Sequence, residues 1–152
     1  MKVAVALGSN LGDRRAHLAF GVEQLQTLLG DLCVSSIIET DPVDVESPQP
    51  PYLNAVAIGR TGRSPRDLLS RLMQIEHARG RRRSARHGAR TLDLDLILYG
   101  DLVLDTAAII VPHPRFRERR FVLEPLAEVA GDWKDPVTGR STSELLMALE
   151  AR

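Results

Sequence analysis

The apolar positions of this chain change period several times, and each change marks an element. Lys2 to Leu7 is a short apolar run closed by Gly8-Ser9-Asn10, the pattern of a buried strand ending in a turn. A helix is predicted from Asp13 to Gly30: Leu18, Val22, Leu25, Leu28 and Leu29 form one stripe, and Gly30 suits a helix stop. Leu32 to Glu39 reads as one continuous strand, and Thr40 to Pro51, with prolines at 42, 48, 50 and 51, as a loop. Tyr52 to Arg60 alternates again and predicts a third strand. Ser64-Pro65-Arg66-Asp67 opens a second helix with serine at the N-cap and proline in the first turn, and Gly80 closes it. From Leu92 to Tyr99 the leucines 92, 94, 96 and 98 alternate with Asp93, Asp95, Ile97 and Tyr99, a strand with two unlike faces.

The order to residue 99 is therefore β-α-β-β-α-β, a ferredoxin-like core of the α+β class. It predicts an antiparallel sheet with both helices on one face and Leu94, Leu96 and Leu98 beneath them. Asp93 and Asp95 are then expected on the opposite face. The C-terminal third adds elements around that core. Leu102 to Leu104 and Ile109 to Val111 are short strand candidates, a helix is predicted over Glu118 to Leu126, and Ser141-Thr142-Ser143-Glu144 is a capping box opening a last helix.

Composition narrows the function classes. Residues 1–152 suit a single domain, with 43% hydrophobic and 26% charged residues. The formal net charge is zero, so no whole-surface field gathers nucleic acid or anionic membrane. Charge is segregated all the same. Arginines cluster at 79–90 and 115–120, while Glu39, Asp41, Asp44 and Glu46 form an acidic patch. Cys33 is the only cysteine, which excludes an internal disulfide or cysteine-based zinc site; its apolar neighbours Leu32 and Val34 predict a buried strand thiol. No apolar run approaches a membrane span, and a cytoplasmic monomer is expected.

Two features carry chemistry. Asp93 and Asp95 sit two residues apart on one strand face, roughly 7 Å apart at ~3.3 Å rise per residue. Like charges at that spacing ask for a cation beside them, although an exposed edge is the plainer alternative. A pair of carboxylates completed by substrate phosphates suits Mg²⁺, which takes few protein ligands and keeps waters. Upstream, Arg79, Arg81, Arg82, Arg83, Arg86 and Arg90 occupy a segment without an acidic residue. Such arginines neutralise a polyphosphate during phosphoryl transfer or, equally, an RNA backbone. Carboxylates on the sheet face argue against an RNA module, where stacking aromatics are expected. Gly8-Ser9-Asn10-Leu11-Gly12 lacks the spacing and lysine of a phosphate loop and reads as a tight turn. Tyr52 and Asn54 place an aromatic and an amide on one strand face, and His113, between Pro112 and Pro114, precedes a second arginine group.

These residues together resemble the 6-hydroxymethyl-7,8-dihydropterin pyrophosphokinases of folate biosynthesis. Gly88-Ala89-Arg90-Thr91-Leu92-Asp93-Leu94-Asp95-Leu96 is similar to the family signature. Gly8-Ser9-Asn10, Tyr52-Leu53-Asn54-Ala55, Ile75-Glu76, Val111-Pro112-His113 and Arg119 with Phe121 follow in the family's order. The resemblance implies a ferredoxin-like core and transfer of diphosphate from ATP to the pterin hydroxymethyl group, releasing AMP. It implies two Mg²⁺ ions on Asp93 and Asp95, and Arg81 and Arg90 as catalytic arginines. It implies a pterin between Tyr52 and Phe121, read by Asn54 and by backbone groups around Thr40 and Val43. Glu76, Arg83, His113 and Arg119 are implied as ATP contacts. Ala89 replaces the motif proline, and His87 stands where an aromatic is usual.

Overall fold

The structure, a computed structural model, describes residues 1–41, 50–80 and 91–152. Strand β1 (Lys2–Ser9) leads to helix α1 (Arg14–Leu28), whose N-cap Asp13 accepts the Ala16 N–H at 3.1 Å. Strands β2 (Gly30–Val34), β3 (Ile38–Thr40) and β4 (Tyr52–Arg60) follow, then α2 (Pro65–Ala78) and β5 (Asp93–Tyr99). The α2 signals act as the sequence predicts. The Ser64 hydroxyl accepts the Asp67 N–H at 3.1 Å, and Gly80 takes the left-handed conformation, φ 89°, just past the helix end.

The strands form one antiparallel sheet in the order β2-β4-β1-β5, with β3 also paired to β4. This is the ferredoxin-like order, with the two strands that follow helices at the edges. The single strand expected over Leu32–Glu39 is broken in two, and two serines break it. Ser35 bonds Val56 twice: its N–H donates to the Val56 carbonyl and its hydroxyl accepts the Val56 N–H, both at 2.9 Å. That hydroxyl stands in for a backbone carbonyl, so the ladder skips a step. Ser36 then gives its N–H and hydroxyl to the Glu128 carboxylate at 2.5 and 2.6 Å. Gly30, expected to stop α1, instead opens β2. Cys33 is exposed rather than buried, because it points from an edge strand toward the face that carries Ile58, its cross-strand neighbour.

Two cores lie on the two sheet faces. Val3, Val5, Leu7, Leu94 and Leu96 pack under α1 and α2 against Leu18, Leu25, Leu68 and Leu72. Leu98, expected in the same layer, lies in the other core with Ala4, Val56, Ile97 and Phe116. The cause is a bulge: Val5 pairs with Leu96 but Ala4 with Leu98, leaving Ile97 extra and reversing the alternation.

The C-terminal third builds the second layer. Strands β6 (Leu104–Asp105) and β7 (Ile110–Val111) make a small hairpin, shorter than the sequence predicts. A 3-10 turn (Phe116–Glu118) precedes α3 (Arg120–Ala130), displaced from the expected Glu118–Leu126, and α4 (Thr142–Glu150) follows. The α4 capping box is complete: Glu144 N–H to the Ser141 hydroxyl at 3.1 Å, and Ser141 N–H to the Glu144 carboxylate at 3.0 Å. Among the described residues no helix is long and apolar enough to cross a membrane.

Candidate active site

Strand register brings the predicted residues together on the second face. Asp93 is opposite Gly8, Gly8 opposite Asn54, and Asn54 opposite Ile38, while Asp95 is opposite Ala6 and Tyr52 opposite Thr40. Cross-strand partners share a face, so Asp93, Asp95, Asn54, Tyr52 and Thr40 all lie at one end of it. Asp93 and Asn54 stand two strands apart, about 10 Å at the usual inter-strand spacing. Gly8 is the low point between them. A Cβ there would lie 3.2 Å from Asn54 Oδ1 and 3.6 Å from the Tyr52 ring.

Asn54 is buried, 6% exposed, and its amide Nδ2 donates to the Thr40 hydroxyl at 2.6 Å. This bond fixes the amide orientation and leaves the oxygen over Gly8. Phe121, in the first turn of α3, is partly buried against the second core. The Arg119 guanidinium lies 5.6 Å from the Phe121 ring centroid. Among the described residues Arg119 and Asp95 have no salt-bridge partner, and Asp95 is exposed.

His113 is set over the strand by its backbone, its N–H donating to the Ile97 carbonyl at 2.9 Å. Its Nδ1 accepts the Arg115 N–H at 3.2 Å, which leaves Nε2 to carry the proton of the neutral ring. Burial pushes its pKa below the ordinary value; Asp95 pulls it up, and Arg119 and Arg115 push it down. The imidazole therefore sits between the acid of β5 and two guanidinium groups.

Glu76 reaches β5 from the other side. It is buried at the end of α2, and its Oε2 accepts the Leu94 N–H at 2.8 Å, between the two aspartates. The structure thus gives it a role at the sheet edge that the sequence did not suggest. Val43, Arg81, Arg83 and Arg90 lie outside the described residues, as do His87 and Asp44 to Glu46.

Two residues to which the sequence assigns no role hold the frame. Asn10 Nδ2 donates to the Pro50 carbonyl at 3.3 Å, and Arg14 Nη1 reaches the Pro51 carbonyl at 2.8 Å and Glu39 at 3.1 Å. Helical and strand periodicities carry no trace of such contacts. Asn10 is marked only as part of the turn after β1 and of the Gly8-Ser9-Asn10 motif, and Arg14, the first residue of α1, carries no signal at all.

Two aspartates, a fixed amide and aromatic side chains at one end of an α+β sheet suit a transferase that joins a phosphorylated substrate to a flat polar one. Residues 4–131 match the model of the 7,8-dihydro-6-hydroxymethylpterin-pyrophosphokinase family, and the chain belongs to that family. It is 42% identical over 142 residues to the 2-amino-4-hydroxy-6-hydroxymethyldihydropteridine pyrophosphokinase of Bacillus subtilis, covering 92% of this chain and 84% of that one. Against the enzyme of the same name from Pseudomonas aeruginosa it is 41% identical over 149 residues, covering 97% and 91%. The fold is shared with the wild-type HPPK-DHPS of Plasmodium falciparum at a TM-score of 0.74 and 14% identity. That match covers 99% of this chain and 44% of the crystallised one, so the chain spans less than half of that protein. The chain is accordingly a pyrophosphokinase of folate biosynthesis, an ATP-using transferase acting on hydroxymethyldihydropterin.

Proposed function

We propose that the transfer of diphosphate from ATP to the hydroxymethyl group of 6-hydroxymethyl-7,8-dihydropterin takes place at the Asp93–Gly8–Asn54 end of the second sheet face. The observation that carries this reading is the row Asp93–Gly8–Asn54, which sets a phosphate-side acid pair and a pterin-side amide on one floor. The pterin lies over Gly8, its polar edge toward Asn54 and Thr40 and its rings beside Tyr52 and Phe121. ATP lies at the Asp93–Asp95 end, where His113 and Arg119 donate to its phosphate oxygens. Arg81, Arg83 and Arg90 are assigned by resemblance to the same phosphates, and Glu76 to the nucleotide.

The donor set suits two Mg²⁺ ions. Asp95 is exposed, and among the described residues it has no salt-bridge partner. Two carboxylates leave positions for phosphate oxygens and water. When bound, Mg²⁺ would offset charge on the transferring group and lower the pKa of a coordinated hydroxyl. The pterin hydroxymethyl oxygen forms a bond to the β-phosphorus and gives up its proton to solvent, the bond from that phosphorus to the oxygen bridging to the α-phosphate breaks, and AMP leaves with that oxygen. The protein's own part is positioning and electrostatics: Asn54 and Thr40 orient the acceptor, Asp93 and Asp95 place the metal, and Arg119 with neutral His113 meets the phosphates.

The test is AMP production from ATP and the hydroxymethyl pterin with Mg²⁺. Turnover is expected in the intact protein and a loss of at least ~100-fold in Asp95→Ala. Absence of Mg²⁺-dependent turnover of this pair by the intact protein would overturn the reading.

A further inference from the structure

The turn that presents His113 and Arg119 is fastened at its middle by a contact far from the reacting groups. Phe116, fully buried, plugs the second core. Next to it, Arg117 spans to Asp135 in the segment between α3 and α4. Its Nε donates to Asp135 Oδ2 and its Nη2 to Oδ1 at 2.8 Å, while its guanidinium lies 4.8 Å from the Phe116 ring centroid. Asp135 is 1% exposed and also accepts the Val137 N–H at 3.0 Å and the Thr138 hydroxyl at 2.8 Å. A bidentate pair of this kind fixes angle as well as distance.

The neighbouring arginines are used differently. Arg115 faces Glu118 at 4.0 Å, Arg120 is shared by Glu124 and Glu150, and Arg119 has no carboxylate partner among the described residues. The backbone between them is tight: Phe116 N–H donates to the His113 carbonyl, Glu118 N–H to Arg115, and Arg119 N–H to Phe116. No side chain caps the start of α3 at Arg119. The His113 N–H bond to the Ile97 carbonyl ties the start of the turn to β5; past that point, among the described residues, Phe116 and the Arg117–Asp135 pair are its buried anchors, and no other buried charge holds it. Asp135 also lies outside the stretch 4–131 that matches the family model.

We propose that Asp135 is a positioning residue for the nucleotide end of the site, acting through Arg117 to fix the turn that sets His113 and Arg119 beside Asp95. The inference rests on the reading of His113 and Arg119 as nucleotide contacts. Rotation of this turn displaces two phosphate donors together, while Thr40, Tyr52 and Asn54, on β3 and β4, stay in place.

The experiment is steady-state kinetics of the full chain with Asp135→Asn, Arg117→Met, the double variant, Arg117→Lys and Thr138→Val. His113→Ala and Arg119→Ala run alongside. Asp135→Asn and Arg117→Met are expected to raise KM for Mg-ATP roughly ten- to hundred-fold, the scale of an ångström-sized misplacement. Pterin affinity, read by equilibrium titration, stays unchanged. The double variant is no worse than either single one, since both break the same link. Arg117→Lys, which keeps charge but not the fork, falls between. Thr138→Val, which removes only the turn bond, lowers the melting temperature and leaves KM alone. The proposal is overturned if Asp135→Asn and Arg117→Met lower the melting temperature yet keep KM within about twofold well below it. It is equally overturned if pterin affinity falls in step. If Asp135→Asn does not fold, Arg117→Lys decides by the same readouts. Should His113→Ala and Arg119→Ala leave KM for Mg-ATP unchanged, the nucleotide reading itself fails, an outcome distinct from failure of Asp135 alone.

Discussion

At His113 four influences meet on one imidazole, and their signs can be separated. Burial lowers its pKa from the ordinary 6.5, Asp95 raises it, and Arg119 and Arg115 lower it. The folded value lies below the unfolded one. His113 therefore favours the fold above about pH 6.5, and that contribution is lost as pH falls through the folded value. At neutral pH the ring is uncharged, with Nδ1 occupied by the Arg115 N–H and Nε2–H free to donate. Two substitutions should move its titration in opposite directions. Asp95→Asn removes the one group that raises the pKa, so the midpoint falls further. Arg119→Met removes a cation, so it rises. The measurement is the His113 ring proton shift against pH by NMR, and movement of both variants in the same direction would show that Asp95 and Arg119 do not both face the ring.

Strand β5 shows how an element can be legible in outline and hidden in detail. As the outer strand of its side of the sheet it leaves one hydrogen-bonding edge without a strand partner among the described residues; the His113 N–H meets that strand at the Ile97 carbonyl, and Glu76 accepts the Leu94 N–H. Glu76→Ala should leave that N–H unsatisfied in a buried place and cost about 1–3 kcal/mol of stability, while Glu76→Gln, which keeps an acceptor, should cost much less. Denaturant unfolding of the two variants checks this; equal losses would mean that the Leu94 bond contributes nothing. The sequence announces β5 through its alternation and the α2 helix through Ser64, Pro65 and Gly80, because these signals act within one turn or one strand. The bulge at Ile97 is invisible in the same alternation, since it arises from how β1 and β5 fit together. The break at Ser35 and Ser36 is equally hidden. Its cause is Val56 across the sheet and Glu128 in a distant helix. Of the site, Asp93, Asp95, Tyr52 and Asn54 could be placed on one face by counting. Their convergence with His113, Arg119 and Phe121 depends on how the C-terminal third packs; the flanking prolines and the arginines that follow point His113 toward phosphate, while for Arg119 and Phe121 only resemblance speaks in advance. Among Arg115, Arg117, Arg119 and Arg120, nothing local marks Arg117 as the one bound to Asp135.

Across the whole molecule, carboxylates hold the C-terminal layer to the sheet and to itself. Glu128 binds Ser36, Asp135 binds Arg117, and Glu144 closes the α4 capping box. All three have pKa values below their ordinary range. For Glu128 the bond from the Ser36 hydroxyl leads, followed by the Ser36 N–H. Asp135 is pushed up by burial, which Arg117 and the turn donors more than offset. For Glu144 the Ser141 N–H leads. Each folded value lies below the unfolded one. Their contribution is therefore complete above the unfolded values, 3.8 for Asp135 and 4.5 for the two glutamates, and is lost as pH falls through the folded ones. Acid should loosen the attachment of α3 and α4 to the second face, and Glu128 isolates the effect because its bond to Ser36 joins residues 92 positions apart. Glu128→Gln removes the charge and keeps the shape. At pH 7 the variant should be less stable by up to about 1 kcal/mol, a modest figure because the carboxylate is exposed and screened. Below pH 4.5 that gap should shrink, and it should vanish once Glu128 is protonated in the folded protein as well. Unfolding free energies of the two proteins across this range test the linkage. A gap of the same size at pH 7 and pH 3 would show that the charge of Glu128 plays no part in holding the Ser36 break between β2 and β3 against α3.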